Sequence, residues 1–300
     1  MSLMYIVKLK YVNMNAQKTW FITGASRGFG MLIAKAVLAS GDKVVATVRS
    51  KPNDLITELG NDPSLLVVNM DVTNEEQIRG AVKYAIDNFG QIDVLVNNAG
   101  YGLLSAVEEA TSEEVKQNYE VNVFGTLNVI RAVLPYMRKA RKGLVINISS
   151  IGGLTGYHGW GIYGSTKFAI EGITEALAKE LAPLGLYATV VAPGFFRTDF
   201  LDASSLVRTK NEIGDYAETV GAMRDFATGA NKKQPGDPQK LADAFVKLGN
   251  AEKPPVHLLL GNDTLESYKA KTEALEEDIK KWYDTVTGTD YEDAAALQHK

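Results

Sequence analysis

Three side chains in this 300-residue chain are spaced for proton transfer: Ser150, Tyr163 and Lys167. Tyr163 and Lys167 lie four residues apart, which puts a phenol and an ammonium on one face of a helix. A free tyrosine titrates near about 10, too high for work at neutral pH, and a nearby positive charge favours the phenolate and draws that value down. A phenol tuned in this way can give a proton to a carbonyl oxygen or take one from an alcohol. Ser150 precedes Tyr163 at the end of a strand-like run and could hold that oxygen by a hydrogen bond. Ser149 is the rival hydroxyl.

The Tyr/Lys pair is weak evidence alone, because 13 tyrosines and 23 lysines in this sequence give about one such spacing by chance. Its weight comes from position, at the start of a helical stretch that follows Leu144 to Ile148. Asn122 lies mid-helix in Val121-Asn122-Val123-Phe124-Gly125, where asparagine has poor propensity, so its presence asks for another reason. A satisfied core amide is the plainer explanation and a working role the sharper one.

From Thr19 onward, short β-branched runs alternate with longer helical patterns, the mark of βαβ units around a parallel sheet. The expected strands are Trp20 to Thr23, Lys43 to Val48, Leu65 to Met70, Val94 to Val96, Leu144 to Ile148, Tyr187 to Ala192 and Val256 to Leu260. They are apolar throughout, as strands covered on both faces should be. The expected helices are Met31 to Ser40, Glu75 to Asn88, Ser112 to Arg141, Tyr163 to Leu181 and Pro238 to Gly249. This predicts an α/β fold, a doubly wound parallel seven-stranded sheet with helices on both faces, whose ligands lie beyond the carboxyl ends of its strands.

The first expected strand runs into Gly24-Ala25-Ser26-Arg27-Gly28-Phe29-Gly30 and then a helix. Glycines there allow a tight turn and let backbone N–H groups approach a pyrophosphate at the positive end of the helix. Such a loop, in the first βαβ unit, points to a dinucleotide. An NAD site places an acid at the end of the second strand, but this strand ends Val48-Arg49-Ser50. Arg49 and Arg27 could instead bond a 2′-phosphate, which favours NADP(H). An Arg49 that is merely a solvated loop charge is the competing explanation.

The glycine spacing with Thr23 before it, together with Asn147-Ile148-Ser149-Ser150-Ile151-Gly152-Gly153, Tyr163 and Lys167, resembles the short-chain dehydrogenase/reductase family over roughly residues 18–261. Phe29 departs from the commoner aliphatic residue. The resemblance implies an oxidoreductase that interconverts an alcohol and a ketone or aldehyde by hydride transfer. It makes Tyr163 the general acid/base, has Lys167 tune Tyr163 and bind the nicotinamide ribose, gives Ser150 the carbonyl, and assigns Asn122 to a proton relay. It also implies cofactor contacts from the loop residues Gly24, Ser26, Arg27, Gly28, Phe29 and Gly30, and from Arg49. Asp71 and Val72 would flank the adenine, and Asn98, Ala99 and Gly100 the ribose. Pro193, Gly194, Phe196 and Thr198 would lie along the nicotinamide. A relative that binds the dinucleotide without turnover, as a sensor or scaffold, and one that epimerises or dehydrates with the same tyrosine are the alternatives. A catalytically silent protein of the first kind would normally have lost the Tyr/Lys pair.

Composition narrows the remaining possibilities. The chain has no cysteine, so thiolate chemistry and disulfides are excluded, and its three histidines lack metal-ligand spacing, so no metal is expected. A net charge of −4 argues against a nucleic-acid partner. No run is long enough to span a membrane or serve as a secretory leader, so a cytoplasmic protein is expected. Residues 1–13 read as an extension ahead of the fold. Residues 195–235, which hold no strand-like run, read as a lid. From Asn262 to Thr287, Leu265, Tyr268, Thr272, Leu275, Ile279, Trp282 and Val286 form an amphipathic stripe, expected to pack on the chain's own core, with a subunit contact in a homo-oligomer second. Tyr157, Trp160, Phe195, Phe196 and Phe200 hint at a bulky apolar substrate.

Overall fold

The computed structural model describes residues 17–291; the expected extension over 1–13 lies outside them. Among the described residues are nine strands: β1 (Thr19–Ile22), β2 (Lys43–Val48), β3 (Leu65–Asn69), β4 (Val94–Asn97), β5 (Gly102–Leu104), β6 (Leu144–Ile148), β7 (Tyr187–Pro193), β8 (Leu206–Arg208) and β9 (His257–Leu260). Seven of them form one parallel sheet in the order β3-β2-β1-β4-β6-β7-β9. The order reverses between β1 and β4, and such a crevice is where open sheets of this kind take their ligands.

The strands are apolar on both faces because both are covered. Trp20 and Ile22 of β1 point to one side, into a core with Ile33 and Val37 of α1 (Gly28–Ala39) and Phe245 of α8 (Pro238–Gly249). Between them Phe21 points the other way, toward Ile78 of α3 (Glu75–Phe89), Val129 of α5 (Thr126–Ala140) and Leu177 of α6 (Gly161–Leu181). Each such fully buried side chain stabilises the fold by about 2 kcal/mol relative to exposure. Capping fixes where the helices begin: Asn74 accepts from Gln77 N at 3.0 Å ahead of α3, and Thr111 with Glu114 forms a capping box on α4 (Ser112–Tyr119).

The structure departs from the sequence reading in four places. A short helix α2 (Pro52–Leu59) fills a stretch with no expected element; only Leu55 of it is buried, so the apolar pattern is thin. The helix expected from Ser112 to Arg141 is interrupted between α4 and α5 by a π-turn, Glu120–Gly125. The segment 195–235 does contain a strand: β8 pairs in parallel with β5, an element also absent from the sequence reading, as a separate two-stranded ribbon. The same segment contains α7 (Ala222–Ala230). Three-residue strands carry too few side chains for a period to show.

The C-terminal stripe is the fourth departure. It forms α9 (Asn262–Lys281) and α10 (Tyr283–Thr287), but the helix meets the body through its first turns, where Thr264 is buried. Leu265, Tyr268, Leu275, Ile279, Trp282 and Val286 are all exposed, Trp282 at 65%. Packing of this stripe on the chain's own core is therefore overturned. No described helix is long and apolar enough to cross a membrane.

Candidate active site

The carboxyl ends of the sheet strands open into one cavity of about 630 Å³, within the usual range for small-molecule sites. Its wall begins with the loop after β1. Gly24 adopts φ +66°, and a Cβ there would sit 2.9 Å from Ala99 Cα. Gly30 has no room either: its Cβ would lie 2.5 Å from Gly24 O and 2.6 Å from Asn98 Nδ2. The loop is locked from β4, as Asn98 Nδ2 donates to Thr23 O and Gly24 O at 2.9 Å and Thr23 Oγ1 accepts from Asn98 N and Ala99 N at 3.0 Å. Helix α1 starts here with no side-chain cap and no acid in its first turn. Its free N–H groups and positive end thus remain available to an anion.

Gly24, Ser26, Arg27, Gly28 and Phe29 line the cavity, and Gly30 lies behind them as the residue that lets the turn close. Arg49 stands exposed at the end of β2 and also lines it. Arg27 is placed differently from what its charge suggested. Its guanidinium crosses to the segment after β7, bonding Ser205 Oγ at 3.0 and 3.1 Å and also Ser204 O. Asp71 and Val72 follow β3 in the wall, but the Asp71 carboxylate accepts from Thr73 N and Thr73 Oγ1 and so serves its own turn.

Ser150, Tyr163 and Lys167 meet on the far side of the crevice. Ser150 follows β6, accepts from Gly152 N at 3.1 Å and remains partly open to the cavity. The Ser149 hydroxyl is turned away, donating to Lys167 O at 3.3 Å. Lys167 Nζ donates to Ile148 O at 2.9 Å and lies 5.6 Å from the centre of the Tyr163 ring. Burial drives the Lys167 ammonium down to about 8, with the Glu171 carboxylate one helical turn on partly opposing it. Burial likewise pushes the Tyr163 phenol up, and the Ser150 hydroxyl offsets only part of this. In the protein alone burial thus favours the protonated phenol.

Asn122 does not line the cavity; it sits behind Gly100 in the π-turn. Its Oδ1 accepts from Tyr101 N at 3.0 Å, and its Nδ2 donates to Tyr101 O at 3.0 Å and Thr166 Oγ1 at 3.1 Å. A Cβ on Gly100 would fall 3.0 Å from Asn122 Oδ1 and 3.7 Å from Lys167 Nζ, so the bare glycine keeps a slot open between these two groups. Such a turn inside a helix re-aims one side chain, and the asparagine sits on it.

The remaining wall comes from the end of β7 and the segment beyond. Pro193, Gly194, Phe196 and Thr198 all line it, with the Phe196 ring edge-on to Phe29 at 5.6 Å. Asp263, which the sequence reading passed over, holds this stretch: its carboxylate accepts from Phe195 N at 2.6 Å and presses against Gly194. Over the phenol, Trp160 and Phe200 stack at 6.3 Å and lie 5.8 and 5.5 Å from the Tyr163 ring. Leu104, Leu206 and Met223 complete this apolar end.

The residues present fit a dinucleotide on two structural grounds. Glycines without Cβ room, at an uncapped helix start, suit a pyrophosphate, and Gly100 and Lys167 line the same cavity further along. Among the described residues no cluster of potential metal ligands occurs.

Comparison with known proteins identifies the family. The family model for short chain dehydrogenases matches residues 18–208. The 3-ketodihydrosphingosine reductase of Bacteroides thetaiotaomicron is 42% identical over 241 residues, covering 80% of this chain and 86% of the relative. A short-chain dehydrogenase from Streptomyces avermitilis superposes with a TM-score of 0.85 at 37% identity, covering 92% of this chain and 99% of the other. The structure of ElxO with NADP bound gives a TM-score of 0.70 at 28% identity over 83% and 99% of the two chains. Matched from β1 through β8, and aligned with its relatives over most of both lengths, this chain is a member of the short-chain dehydrogenase family and shares their oxidoreductase character.

Proposed function

We propose that this protein is an NADP(H)-dependent oxidoreductase that interconverts an alcohol with a ketone or aldehyde. The observation that carries the reading is the meeting of Ser150, Tyr163 and Lys167 at one end of a cavity whose other end is a glycine loop on a bare helix start. Arg49, at the strand end where an NAD site would carry an acid, supports a 2′-phosphate, as does the NADP bound to the ElxO neighbour.

The cofactor, when bound, supplies or accepts the hydride at the substrate carbon. Ser150 holds the carbonyl oxygen through the hydroxyl face it keeps open to the cavity. Tyr163 gives that oxygen its proton in reduction and takes it back in oxidation. Lys167 stays charged below about pH 8, so near neutrality its ammonium is positioned to favour the phenolate that forms as the proton leaves. Asn122 keeps the π-turn and the Gly100 slot in register, through which Lys167 and a relay water are reached. Trp160 and Phe200 exclude bulk water from the phenol.

The apolar end formed by Trp160, Phe200, Leu206 and Met223 suits a bulky apolar carbonyl compound, in line with the name of the 42% identical reductase. We read residues 18–261 as one catalytic unit with 195–235 as its lid, and the exposed face of α9 as a subunit contact in a cytoplasmic homo-oligomer. The test follows NADPH absorbance with a panel of carbonyl compounds. Wild type should oxidise NADPH, and Tyr163→Phe should lose about 10²- to 10⁴-fold in kcat while binding NADPH as before. Binding of NADPH without turnover of any carbonyl or alcohol would establish the silent sensor instead.

A further inference from the structure

Residues 195–235 contribute to the cavity wall through most of 195–207 and through Met223 and Gln234, and their parts are tied down in different ways. The first part, to Ser205, is held by Asp263 at Phe195 N and by Arg27 at Ser204 and Ser205. Residues 231–236 bond back to this first part, through Gln234 O to Arg197, Asn231 to Asp202 and Lys232 to Asp199, whereas residues 209–224 converge on one carboxylate that the chemistry above does not use. Glu109 lies in the loop between β5 and α4, with its side chain 0% exposed. Its Oε2 accepts from Ala106 N at 2.8 Å and from Arg224 Nη2 at 2.5 Å, and its Oε1 accepts from Ile213 N at 2.9 Å. Its main-chain oxygen accepts from Asn211 Nδ2 at 3.3 Å and Thr209 Oγ1 at 3.4 Å. Four of these five bonds come from residues 209–224.

A carboxylate with no exposure is retained only where such partners replace its water. Burial pushes Glu109 up, but the hydrogen bonds from Ile213, Ala106 and Arg224 outweigh it and hold the group below the usual carboxylate range. At neutral pH the pair with Arg224 is thus ionised, which makes each bond charge-assisted. The consequence reaches the cavity through the neighbouring residue. Met223 lines the apolar end, and its side chain packs against Gly159, where a Cβ would stand 3.2 Å from Met223 Cγ and 3.1 Å from Leu104 Cδ1. Leu206, just ahead of the same stretch, packs with Trp160 and Tyr163.

We propose that Glu109 is a specificity-determining positioning residue: it anchors residues 206–224 as a fixed apolar wall and, through Met223 and Leu206, sets the size of the carbonyl compound that reaches Tyr163. This rests on the oxidoreductase reading and adds to it that this part of the lid does not move with substrate entry.

The test compares wild type, Glu109→Gln and the paired Glu109→Gln/Arg224→Met, all saturated with cofactor, on a small aliphatic ketone and a bulky aromatic ketone. The pair removes both charges and so leaves no lone buried ion. Expected are faster amide exchange confined to 206–224, a KM for the bulky ketone raised roughly tenfold or more with NADPH, and its calorimetric Kd raised likewise with NADP+ bound, where no hydride can transfer. The small ketone, kcat and NADPH affinity should stay within about twofold. A bulky-ketone KM and Kd within about twofold of wild type in a folded variant would overturn the proposal. So would equal losses on both ketones together with lost NADPH binding, which mark a purely structural residue. If wild type turns over neither ketone, the oxidoreductase reading is what fails, and the exchange and calorimetric arms still decide the role of Glu109.

Discussion

Replacing Lys167 with methionine should change the pH dependence of stability in a direction opposite to that of an ordinary surface lysine. Burial holds the Lys167 ammonium at about 8, against about 10.4 for the same group in an unfolded chain. Between those values the unfolded state binds more protons than the folded one, so stability rises with pH through that window. Each pH unit is worth about 1.4 kcal/mol, so over roughly pH 8 to 9.5 wild type should gain about 2 kcal/mol that Lys167→Met, having no proton to lose, does not gain. The absolute offset between the two proteins also contains the lost bond from Lys167 Nζ to Ile148 O, but that bond does not set the slope. Tyr163 is held up by burial and stays protonated across this range in both proteins, so its contribution cancels. Urea unfolding of the cofactor-free proteins at half-unit pH intervals measures the difference directly. A wild-type advantage that is flat with pH, or that falls, would refute the claim that Lys167 is desolvated in the folded chain. The expected slope means that the fold bears a cost near neutrality to keep an ammonium beside the phenol.

Arg49→Asp should reverse the dinucleotide preference: losing a charge-assisted phosphate contact costs about 1.5–3 kcal/mol, or roughly 10- to 100-fold in NADPH affinity, with NADH improved. Fluorescence titration with both cofactors reads the ratio, and an unchanged ratio would remove Arg49 from the site. Gly30→Ala should lower the melting temperature by an overpacking cost of about 1–3 kcal/mol and abolish the NADPH-induced rise, since its Cβ meets Gly24 O and Asn98 Nδ2. Gly28→Ala has open space around it and only φ +56° to oppose it, so it should cost about 1–2 kcal/mol and keep most of the NADPH-induced rise. Thermal melts with and without NADPH compare the two, and an unaltered NADPH response in Gly30→Ala would contradict the loop geometry.

What could be read from the sequence was whatever depends on neighbours along the chain. The apolar runs gave the seven sheet strands to within one or two residues, because a strand covered on both faces is mostly apolar on both, its buried exceptions such as Asn97 and Asn147 being hydrogen-bonded inside. Asn122 was conspicuous because asparagine suits a helix poorly, yet the π-turn that carries it has no sequence period of its own. Spacing also showed which residues of α9 share a face; what that face meets depends on how the helix leaves β9, and it leaves through Asp263, Thr264 and Ser267 rather than through the stripe. Arg27 illustrates the same limit for charge: a guanidinium beside a phosphate loop suggests a phosphate, but the partner it takes here belongs to a segment 177 residues further on. Glu109 and Asp263 were invisible for that reason, since their partners at Arg224 and Phe195 lie 115 and 68 residues away. Local chemistry therefore identifies the groups suited to proton and hydride transfer, whereas the shape of the substrate end follows from polar anchors that only the folded chain brings together. Substrate choice within one family can thus change by altering anchors such as Glu109 while Ser150, Tyr163 and Lys167 stay as they are.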